Sequence, residues 1–324
     1  MNFGEHYFHA LRRLKQLWGA AVRSWYAHDD MVEEPSDTGL AITGATGAVG
    51  GRIASRLAGL GHSQRLIVRD GNRAPGLPQA VVAEASYEDP RALREALAGT
   101  RTFFMVSAGE TADRARRHAA AVDAAVSAGV ERIVYLSFLN AAPDATFTFA
   151  RDHWRTEEHV RSTSVRYTFL RDGPYLDYVP ALAGTDGVIR GPAGDGRVGA
   201  VARDDIAEVA VAVLLGEGGH DGRTYDVTGP EAISLQEAAE ELSRVTGRAV
   251  AYHPETLEEA YESRSSYGAP EWEVEGWVTS YEAIATGEMD VVSGTVGELT
   301  GHAPMGLAEF LRRYPESYRH LVRT

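Results

Sequence analysis

The 324-residue sequence predicts an α/β fold, a doubly wound parallel sheet of the Rossmann type with a smaller α/β lobe. Two observations predict it. From Gly39 to about residue 172, short apolar runs alternate with helix-like segments, which is typical of parallel strands covered by helices on both faces. A glycine-rich turn separates the first strand from the first helix, where sheets of this kind bind phosphate groups.

The first strand is predicted at Leu40–Thr43, and the helix at residues 48–60 that follows it ends at glycines. A second helix begins with Asp89 as its N-cap and Pro90 in its first position. An alanine-rich helix is expected near residues 111–128. Further buried strands are predicted at residues 65–69, 80–83, 102–106, 132–136 and 167–170.

The alternation then loosens, and residues 173–202, rich in Gly, Pro and Asp, are interpreted as an excursion over the sheet edge. A helix at 204–215 and a strand at 225–228 return to the sheet. Ser234-x-x-Glu237 is a capping box that opens another helix, and the remainder is expected to be helical and acidic. The predicted domains are the main Rossmann domain, residues 39–172 plus 203–229, and a substrate-covering lobe, residues 173–202 plus 230–324.

Residues 1–38 differ in character from the rest of the chain. Apolar residues recur there at three- and four-residue steps with basic residues between them, which predicts an amphipathic helix followed by a linker. The helix could dock on a membrane surface or a partner, or pack on the domain. It could also be an extension ahead of a start at Met31. The apolar positions are Tyr7, Phe8, Leu11, Leu14, Trp18, Ala21, Val22 and Trp25.

Composition excludes several kinds of chemistry. The chain has a formal charge of −14, no cysteine and a single lysine, Lys15. Without cysteine there is no disulfide, thiol nucleophile, iron–sulfur cluster or cysteine-bound zinc. With Lys15 outside the folded domain, there is also no Schiff-base lysine, phosphate-loop lysine or Tyr-x-x-x-Lys pair. No spacing of His, Asp or Glu singles out a metal site, and none is predicted.

Charge and hydropathy also limit the partners and the location. The negative charge argues against nucleic acid, which would require a basic face. No apolar run approaches the roughly 18 residues of a membrane span, and no signal peptide is recognisable. We therefore expect a cytoplasmic protein that is not an integral membrane protein, and we leave open whether it forms a homodimer.

The strongest motif is Thr43-Gly44-Ala45-Thr46-Gly47-Ala48-Val49-Gly50. Its three glycines suit three tasks: a tight turn, a close backbone approach to a pyrophosphate, and close packing of helix on strand. Phosphate groups would then lie on the amides at the helix N-terminus. The start of a predicted parallel sheet is the context that this dinucleotide-binding motif requires. A merely structural glycine turn is the alternative.

The end of the second strand bears on the choice between NAD and NADP. An acidic residue there would bind the ribose hydroxyls, whereas an arginine would accept a 2′-phosphate. The sequence places Arg69 at this point with Arg73 nearby, and a guanidinium can bind phosphate with two hydrogen bonds. This favours NADP(H) over NAD(H), although Asp70 follows directly and could take the place of Arg69.

Several further segments carry a family resemblance. Beside the glycine motif and the Val68-Arg69 strand end, they are residues 136–139, 167–175 and 191–196, the last followed by Arg203. Together they resemble the NmrA-like atypical short-chain dehydrogenase/reductases, and within them the NAD(P)H quinone oxidoreductase type. The likeness covers nearly all of residues 39–315 and none of 1–38. The glycine motif is shared by many reductases, whereas residues 167–175 with the later Ala-Gly-Asp-Gly are more specific.

The resemblance implies roles for the matching positions. Gly44, Ala45, Thr46, Gly47, Ala48 and Val49 would hold the pyrophosphate, and Arg69 the 2′-phosphate. Arg203 would reach back to the cofactor. The family often has an asparagine and an aromatic residue at the positions of Asp172 and Pro174, and an acidic residue at that of Ser86. The ribose on the nicotinamide side would lie next to the backbone of Ser107, Ala108 and Gly109. The nicotinamide pocket would be lined by Asp172, Gly173, Pro174 and Tyr175.

The ordinary reductase pair of tyrosine and lysine is replaced by His153 and Glu157. Four residues apart on a helix they share one face, so that the carboxylate could hold the imidazole. His153 would then assist proton delivery in the cleft, or the two would form a surface pair. Tyr175 is a second candidate proton donor, or an aromatic wall.

The resemblance and the missing lysine together predict an NADPH-dependent oxidoreductase. It would transfer a hydride to a quinone or a related enone, because conjugation already activates such acceptors and positioning in an apolar cleft can suffice. The alternative is a redox sensor of the NmrA type that binds NADP(H) and a protein partner without turnover.

Overall fold

The computed structural model describes residues 39–216 and 219–322. The helix and linker predicted for residues 1–38 lie outside the described residues. The strands are β1 Leu40–Thr43, β2 Gln64–Val68, β3 Ala80–Glu84, β4 Thr102–Val106, β5 Arg132–Phe138, β6 Arg166–Asp172, β7 Val188–Gly191, β8 Arg197–Val198, β9 Arg223–Val227, β10 Ile233–Ser234 and β11 Ala251–Pro254.

The α-helices of the same residues alternate with these strands as far as β6 and dominate the chain after β10. They are α1 Ala48–Gly59, α2 Pro90–Ala96, α3 Arg114–Ser127, α4 Thr148–Arg161, α5 Val179–Leu182, α6 Arg203–Leu215, α7 Leu235–Thr246, α8 Leu257–Ser265, α9 Glu271–Ala285, α10 Thr295–Thr300 and α11 Leu307–Arg313. No helix in the described ranges is long and apolar enough to cross a membrane.

Seven strands form one parallel sheet in the order β3-β2-β1-β4-β5-β6-β9. Successive side chains of a strand point to opposite faces. In β4, Phe103 and Met105 pack against α2 and α3, whereas Phe104 points to the face covered by α1 and α6. Both faces are therefore apolar cores, and the prediction of a doubly wound Rossmann sheet is confirmed.

Capping residues set several helix boundaries as the sequence predicts. Asp89 accepts a hydrogen bond from the Ala92 amide at the start of α2, with Pro90 in the first turn. Ser234 and Glu237 form the reciprocal capping box of α7. These local signals act through neighbouring backbone amides, which explains why sequence alone reveals them.

A third core lies outside the main sheet and is built by α5, α7, α9 and α11 with short strands. Strand β7 pairs with β11 in parallel, and β8 pairs with β10 in antiparallel orientation. The interpretation of 173–202 as a plain excursion and of the later chain as helical is corrected by β7, β8 and β11. These strands have two to four residues, and β11 is mostly exposed, so they lack an apolar alternation.

Candidate active site

The glycine turn between β1 and α1 has the geometry of a phosphate cradle. Gly44 has a φ of +72°, and a Cβ there would lie 3.0 Å from Val106 Cβ. A Cβ on Gly50 would lie 2.4 Å from the Gly44 carbonyl oxygen, so α1 packs directly on the turn. The Gly47 amide donates to that same oxygen at 2.8 Å, and Gly47 is the N-cap of α1. Each glycine thus meets a different steric demand.

The N-terminus of α1 offers unpaired amides to a ligand. Gly47 supplies no capping side chain, and the first turn of the helix contains no acidic residue. Thr46, Gly47 and Ala48 are exposed, whereas Ala45 and Val49 are buried beneath them. Because free amides and the helix dipole attract anions, the turn fits a pyrophosphate.

The loop after β2 exposes two arginines, and its backbone amides are bound by carboxylates in the loop and at the end of β3. Arg69 and Arg73 are exposed. Asp70 Oδ1 accepts hydrogen bonds from the Asn72 amide at 3.0 Å and from Asn72 Nδ2 at 3.1 Å. Glu84 Oε1 accepts from the Gly71 amide at 2.6 Å. Oδ1 of Asp70 is therefore bound within its own loop, and the choice of Arg69 over Asp70 as the contact to the cofactor stays a prediction.

The end of β4 is fixed beside the glycine turn. Thr43 Oγ1 accepts from the Val106 amide at 2.9 Å, and the Tyr87 hydroxyl donates to the Val106 carbonyl at 2.7 Å. Ser107 and Ala108 follow half-buried, and Gly109 is exposed. This brings the predicted ribose segment to the same sheet edge as the predicted pyrophosphate turn.

Asp172 ends β6 as a buried carboxyl that bonds to Tyr175. The Tyr175 hydroxyl donates to Asp172 Oδ2 at 2.8 Å. Burial raises the pKa of Asp172 to about 8 and that of Tyr175 well above its ordinary value. Gly173 and Pro174 hold the connection close to the next segment: a Cβ on Gly173 would lie 2.5 Å from Gly199 O. This hydrogen bond favours the interpretation of Tyr175 as an aromatic wall of the pocket. Its role as a proton donor stays a prediction.

Arg203 opens α6 next to this pair. Its guanidinium carbon lies 4.8 Å from the Tyr175 ring centroid and 4.9 Å from that of Tyr178. Its Nη1 donates to Asp177 Oδ1 at 3.0 Å. The structure thus joins Arg203 to the 172–175 segment, and its contact with the cofactor stays a prediction.

His153 and Glu157 are both buried, and they do not bind each other. His153 Nδ1 lies 2.9 Å from the Tyr135 hydroxyl. Glu157 instead accepts from Ser137 Oγ at 2.6 Å and from Arg171 Nε and Nη2 at 2.8 and 2.6 Å. The prediction that the Glu157 carboxylate binds the His153 imidazole is wrong. The alternative, that the two side chains form a pair on the surface, is wrong as well. The reason is that a fully buried carboxylate requires charge and donors, which β5 and β6 supply.

Tyr135 and His118 are polar residues of this region that the sequence interpretation missed. His118 on α3 accepts from the Ala108 amide through Nε2 at 2.8 Å, and its Nδ1 lies 2.9 Å from Thr156 Oγ1. Burial, and secondarily Arg114, lowers the pKa of His118 to about 3. The only sequence signals were a tyrosine in an apolar strand and a histidine in an alanine-rich helix. Neither signal indicates which group the side chain binds.

One group of titratable side chains with metal-ligand chemistry lies elsewhere in the described ranges, formed by Asp205, Glu208 and His302. Its members have protein partners. His302 Nε2 contacts Glu208 Oε2 at 2.5 Å, Arg56 pairs with Glu208 at 3.1 Å, and Asp205 Oδ2 accepts from the Met305 amide. We assign no metal to this group.

The fold and the phosphate cradle define a dinucleotide-binding protein. Residues 44–217 match the family of NAD(P)H-binding domains, and the chain belongs to this family.

Relatives specify the type of protein further. The chain is 36% identical over 284 residues to the (4-alkanoyl-5-oxo-2,5-dihydrofuran-3-yl)methyl phosphate reductase of Streptomyces griseus, with 86% of this chain and 98% of the relative covered. It is 33% identical over 277 residues to quinone oxidoreductase 2 of Escherichia coli, with 83% and 96% covered. The crystal structure of the Escherichia coli NADPH-dependent quinone oxidoreductase with NADPH has a TM-score of 0.77 at 31% identity, covering 85% of this chain and 99% of that one.

These matches make the chain an NAD(P)H-dependent oxidoreductase. The predicted resemblance to NmrA-like reductases of the quinone oxidoreductase type is confirmed, as is the nicotinamide dinucleotide cofactor. The roles predicted for individual residues and the domain boundaries stay predictions.

Proposed function

We propose that the protein reduces quinones and related conjugated carbonyls with NADPH and without a Tyr/Lys pair. The observation that carries this proposal is the burial and the hydrogen bonding of the Glu157 carboxylate. At the position that the resemblance assigns to the usual lysine, this carboxylate is fully buried and bound by Ser137 and Arg171. It cannot lower the pKa of a neighbouring donor as a lysine does. An acceptor that conjugation has already activated requires the least help from a proton donor in such a site.

The cofactor would lie along the carboxyl edge of the sheet. The turn of residues 44–49 and the first free amides of α1 would bind the pyrophosphate, residues 107–109 would contact the nicotinamide-side ribose, and residues 172–175 would line the nicotinamide. NADPH, when bound, supplies a hydride to the acceptor, and a proton from water completes the reduction to hydroquinone and NADP⁺. The residues of the chain orient the two reactants and exclude water between them.

The loop after β2 supports NADPH as the preferred form. Arg69 is exposed and forms no ion pair with another described residue, so that its guanidinium is available for a 2′-phosphate. The carboxylate of Asp70, which would repel that phosphate, is bound to Asn72. The Escherichia coli structure that resembles this chain holds NADPH.

The names of the relatives support the acceptor class. One is a quinone oxidoreductase, and the other reduces a dihydrofuranone that carries an alkanoyl group. Both kinds of ring contain a carbon–carbon double bond conjugated with a carbonyl. Near the proposed nicotinamide pocket, Phe138 and Phe147 offer an aromatic surface, with ring centroids 5.1 Å apart and Phe138 5.9 Å from His153. Such rings suit a flat acceptor.

Steady-state kinetics with the full chain test this proposal. With NADPH and a series of uncharged quinones under anaerobic conditions, we expect quinone-dependent loss of reduced-nicotinamide absorbance. His153→Ala should lower kcat by about tenfold to a hundredfold, the worth of one hydrogen bond to a charged oxygen. Arg155→Ala, an exposed position on the same helix, should leave kcat within about twofold because surface substitutions change little.

Absence of turnover with every quinone would refute the proposal. Tight binding of NADP(H) without turnover would then favour the sensor function. The cytoplasmic location and a homodimer stay predictions.

A further inference from the structure

The hydroxyl of Tyr135 lies between two buried histidines. Tyr135 occupies the middle of β5 and is completely buried. Its oxygen lies 2.9 Å from His153 Nδ1 and 3.4 Å from His118 Nδ1. The Tyr135 and His153 rings are stacked with centroids 5.8 Å apart. The direction of the Tyr135–His153 hydrogen bond decides which imidazole nitrogen of His153 carries hydrogen.

The surroundings of His118 fix that direction. The Ala108 amide donates to His118 Nε2, so this nitrogen carries a lone pair, and the hydrogen of the neutral ring lies on Nδ1. His118 Nδ1 donates to Thr156 Oγ1, which itself donates to the Asp152 carbonyl at 2.8 Å. His118 cannot accept from Tyr135. Thr156 Oγ1, the other hydroxyl next to Tyr135, already accepts from His118 Nδ1, and we therefore assign the hydroxyl hydrogen of Tyr135 to His153 Nδ1.

His153 consequently carries its hydrogen on Nε2. Burial first, and then Arg114, His118 and Arg171, hold the pKa of His153 well below its ordinary value, so that the ring is neutral near pH 7. Within the part of the chain that the structure describes, Nε2 has no hydrogen-bond partner and is not closed off from solvent. The ring as a whole is only 6% exposed. A donor is thus left at the surface of an otherwise buried ring.

The position of His153 places this donor at the proposed nicotinamide pocket. The Phe138 ring next to His153 ends β5 and stands opposite Asp172 in the β5–β6 register. The Leu139 amide donates to the Asp172 carbonyl at 2.9 Å. His153 therefore lies beside the segment from Asp172 to Tyr175.

We propose that Tyr135 is a positioning residue that holds the His153 imidazole with Nε2–H towards the crevice, where it donates a hydrogen bond to the oxygen of the acceptor. This role rests on the proposed quinone reduction. His153 acts as a neutral donor that stabilises the oxyanion while the hydride arrives, and water provides the proton. Transfer of the Tyr135 proton is unfavourable because burial raises the pKa of its phenol far above the usual value.

The test combines a spectroscopic and a kinetic measurement on the full chain. Long-range ¹H–¹⁵N spectra of histidine-labelled protein, with and without NADPH, should show His153 with hydrogen on Nε2, assigned by loss of its signals in His153→Gln. Tyr135→Phe should move the His153 Nδ1 resonance and lower kcat about fivefold, the worth of one hydrogen bond, with KM for NADPH unchanged. Tyr135→Phe should have no further effect in a His153→Ala background.

Tyr167→Phe is the matched control, because it removes a hydroxyl from the same apolar core without contacting a histidine in the described hydrogen bonds. It should change neither the resonance nor kcat. A wild-type His153 with hydrogen on Nδ1, or additive effects of the Tyr135 and His153 changes, would overturn the inference even if quinones are reduced. The tautomer alone decides the assignment if Tyr135→Phe does not fold. The predicted tautomer without any turnover would overturn the donor role together with the proposed function.

Discussion

Arg69 and Arg73 are exposed beside a loop whose carboxylates already bind backbone amides. Arg69→Ala should therefore raise the Kd of NADPH about tenfold to a hundredfold, the loss expected for charge-assisted hydrogen bonds to a phosphate. The Kd of NADH should change by less than about threefold, because NADH has no 2′-phosphate. Titration of nucleotide fluorescence measures both constants.

The control for Arg69 is Arg94→Ala, which removes another exposed arginine from the helix α2. It should leave the Kd of NADPH unchanged. Equal weakening of NADPH and NADH by Arg69→Ala would show that the arginine supports the loop and does not recognise the phosphate.

The buried carboxyl of Asp172 makes stability depend on pH. Its folded pKa of about 8 exceeds the value near 4 of an unfolded chain. Below about pH 4 both states are neutral, and between about pH 4 and 8 only the unfolded state ionises, so stability falls as pH rises. Asp172→Asn should gain stability over the wild type across this window, by up to about 1.4 kcal/mol per pH unit.

Urea denaturation at pH 5 and pH 7.5 measures this difference for Asp172→Asn. Asp144→Asn, at an exposed position, is the control and should show the same small difference at both values. A stability difference for Asp172→Asn that does not change with pH would mean that the carboxyl ionises normally in the folded protein.

At the scale of residues, spacing predicted the glycine turn, because the steric demands on its glycines come from adjacent backbone. It could not identify the partners of His153 and Glu157. Tyr135 is 18 residues from His153 in sequence, and Arg171 is 14 residues from Glu157. Which of several polar groups turns towards a buried side chain depends on the packing of strand against helix, which the sequence pattern does not contain.

At the scale of elements, α1 and the turn before it act as one unit. Gly50→Ala should force the helix away from the Gly44 carbonyl, which lies 2.4 Å from the new Cβ. We expect a loss of about 1–3 kcal/mol in the free energy of unfolding, as in other overpacked sites, and weaker NADPH binding. Urea denaturation and nucleotide titration measure the two effects.

Gly59→Ala in the same helix is the matched control, since a Cβ there meets nothing within 4 Å. It should stabilise the protein by up to about 1 kcal/mol, because alanine loses less backbone entropy than glycine. Equal effects of the two substitutions would contradict the close packing of α1 on the turn.

The long elements of the main sheet were predictable because apolar runs, glycines and caps coincide along the chain. The short strands β7, β8 and β11 were not, because they pair outside the main sheet, β7 with β11 and β8 with β10. Their sequences carry neither length nor alternation.

At the scale of the whole molecule, the sheet brings the glycine turn, Arg69, the end of β4 and Asp172 to one carboxyl edge. His153 comes to this edge from α4. Parallel strands end on the same side, which is why residues scattered along the chain converge at one edge of the sheet. The single lysine, Lys15, precedes the described residues. Among the described residues, this edge therefore offers arginine, histidine, tyrosine and backbone groups, and no lysine.

The proposed reaction is hydride transfer from NADPH to a quinone at this edge of the sheet. A single-turnover experiment without oxygen, using NADPH with and without deuterium at C4, tests it most directly. We predict that reduced nicotinamide disappears in step with the formation of one hydroquinone per bound cofactor, and that deuterium slows this step. Bound NADPH that stays reduced while the quinone remains unchanged would contradict hydride transfer between the two.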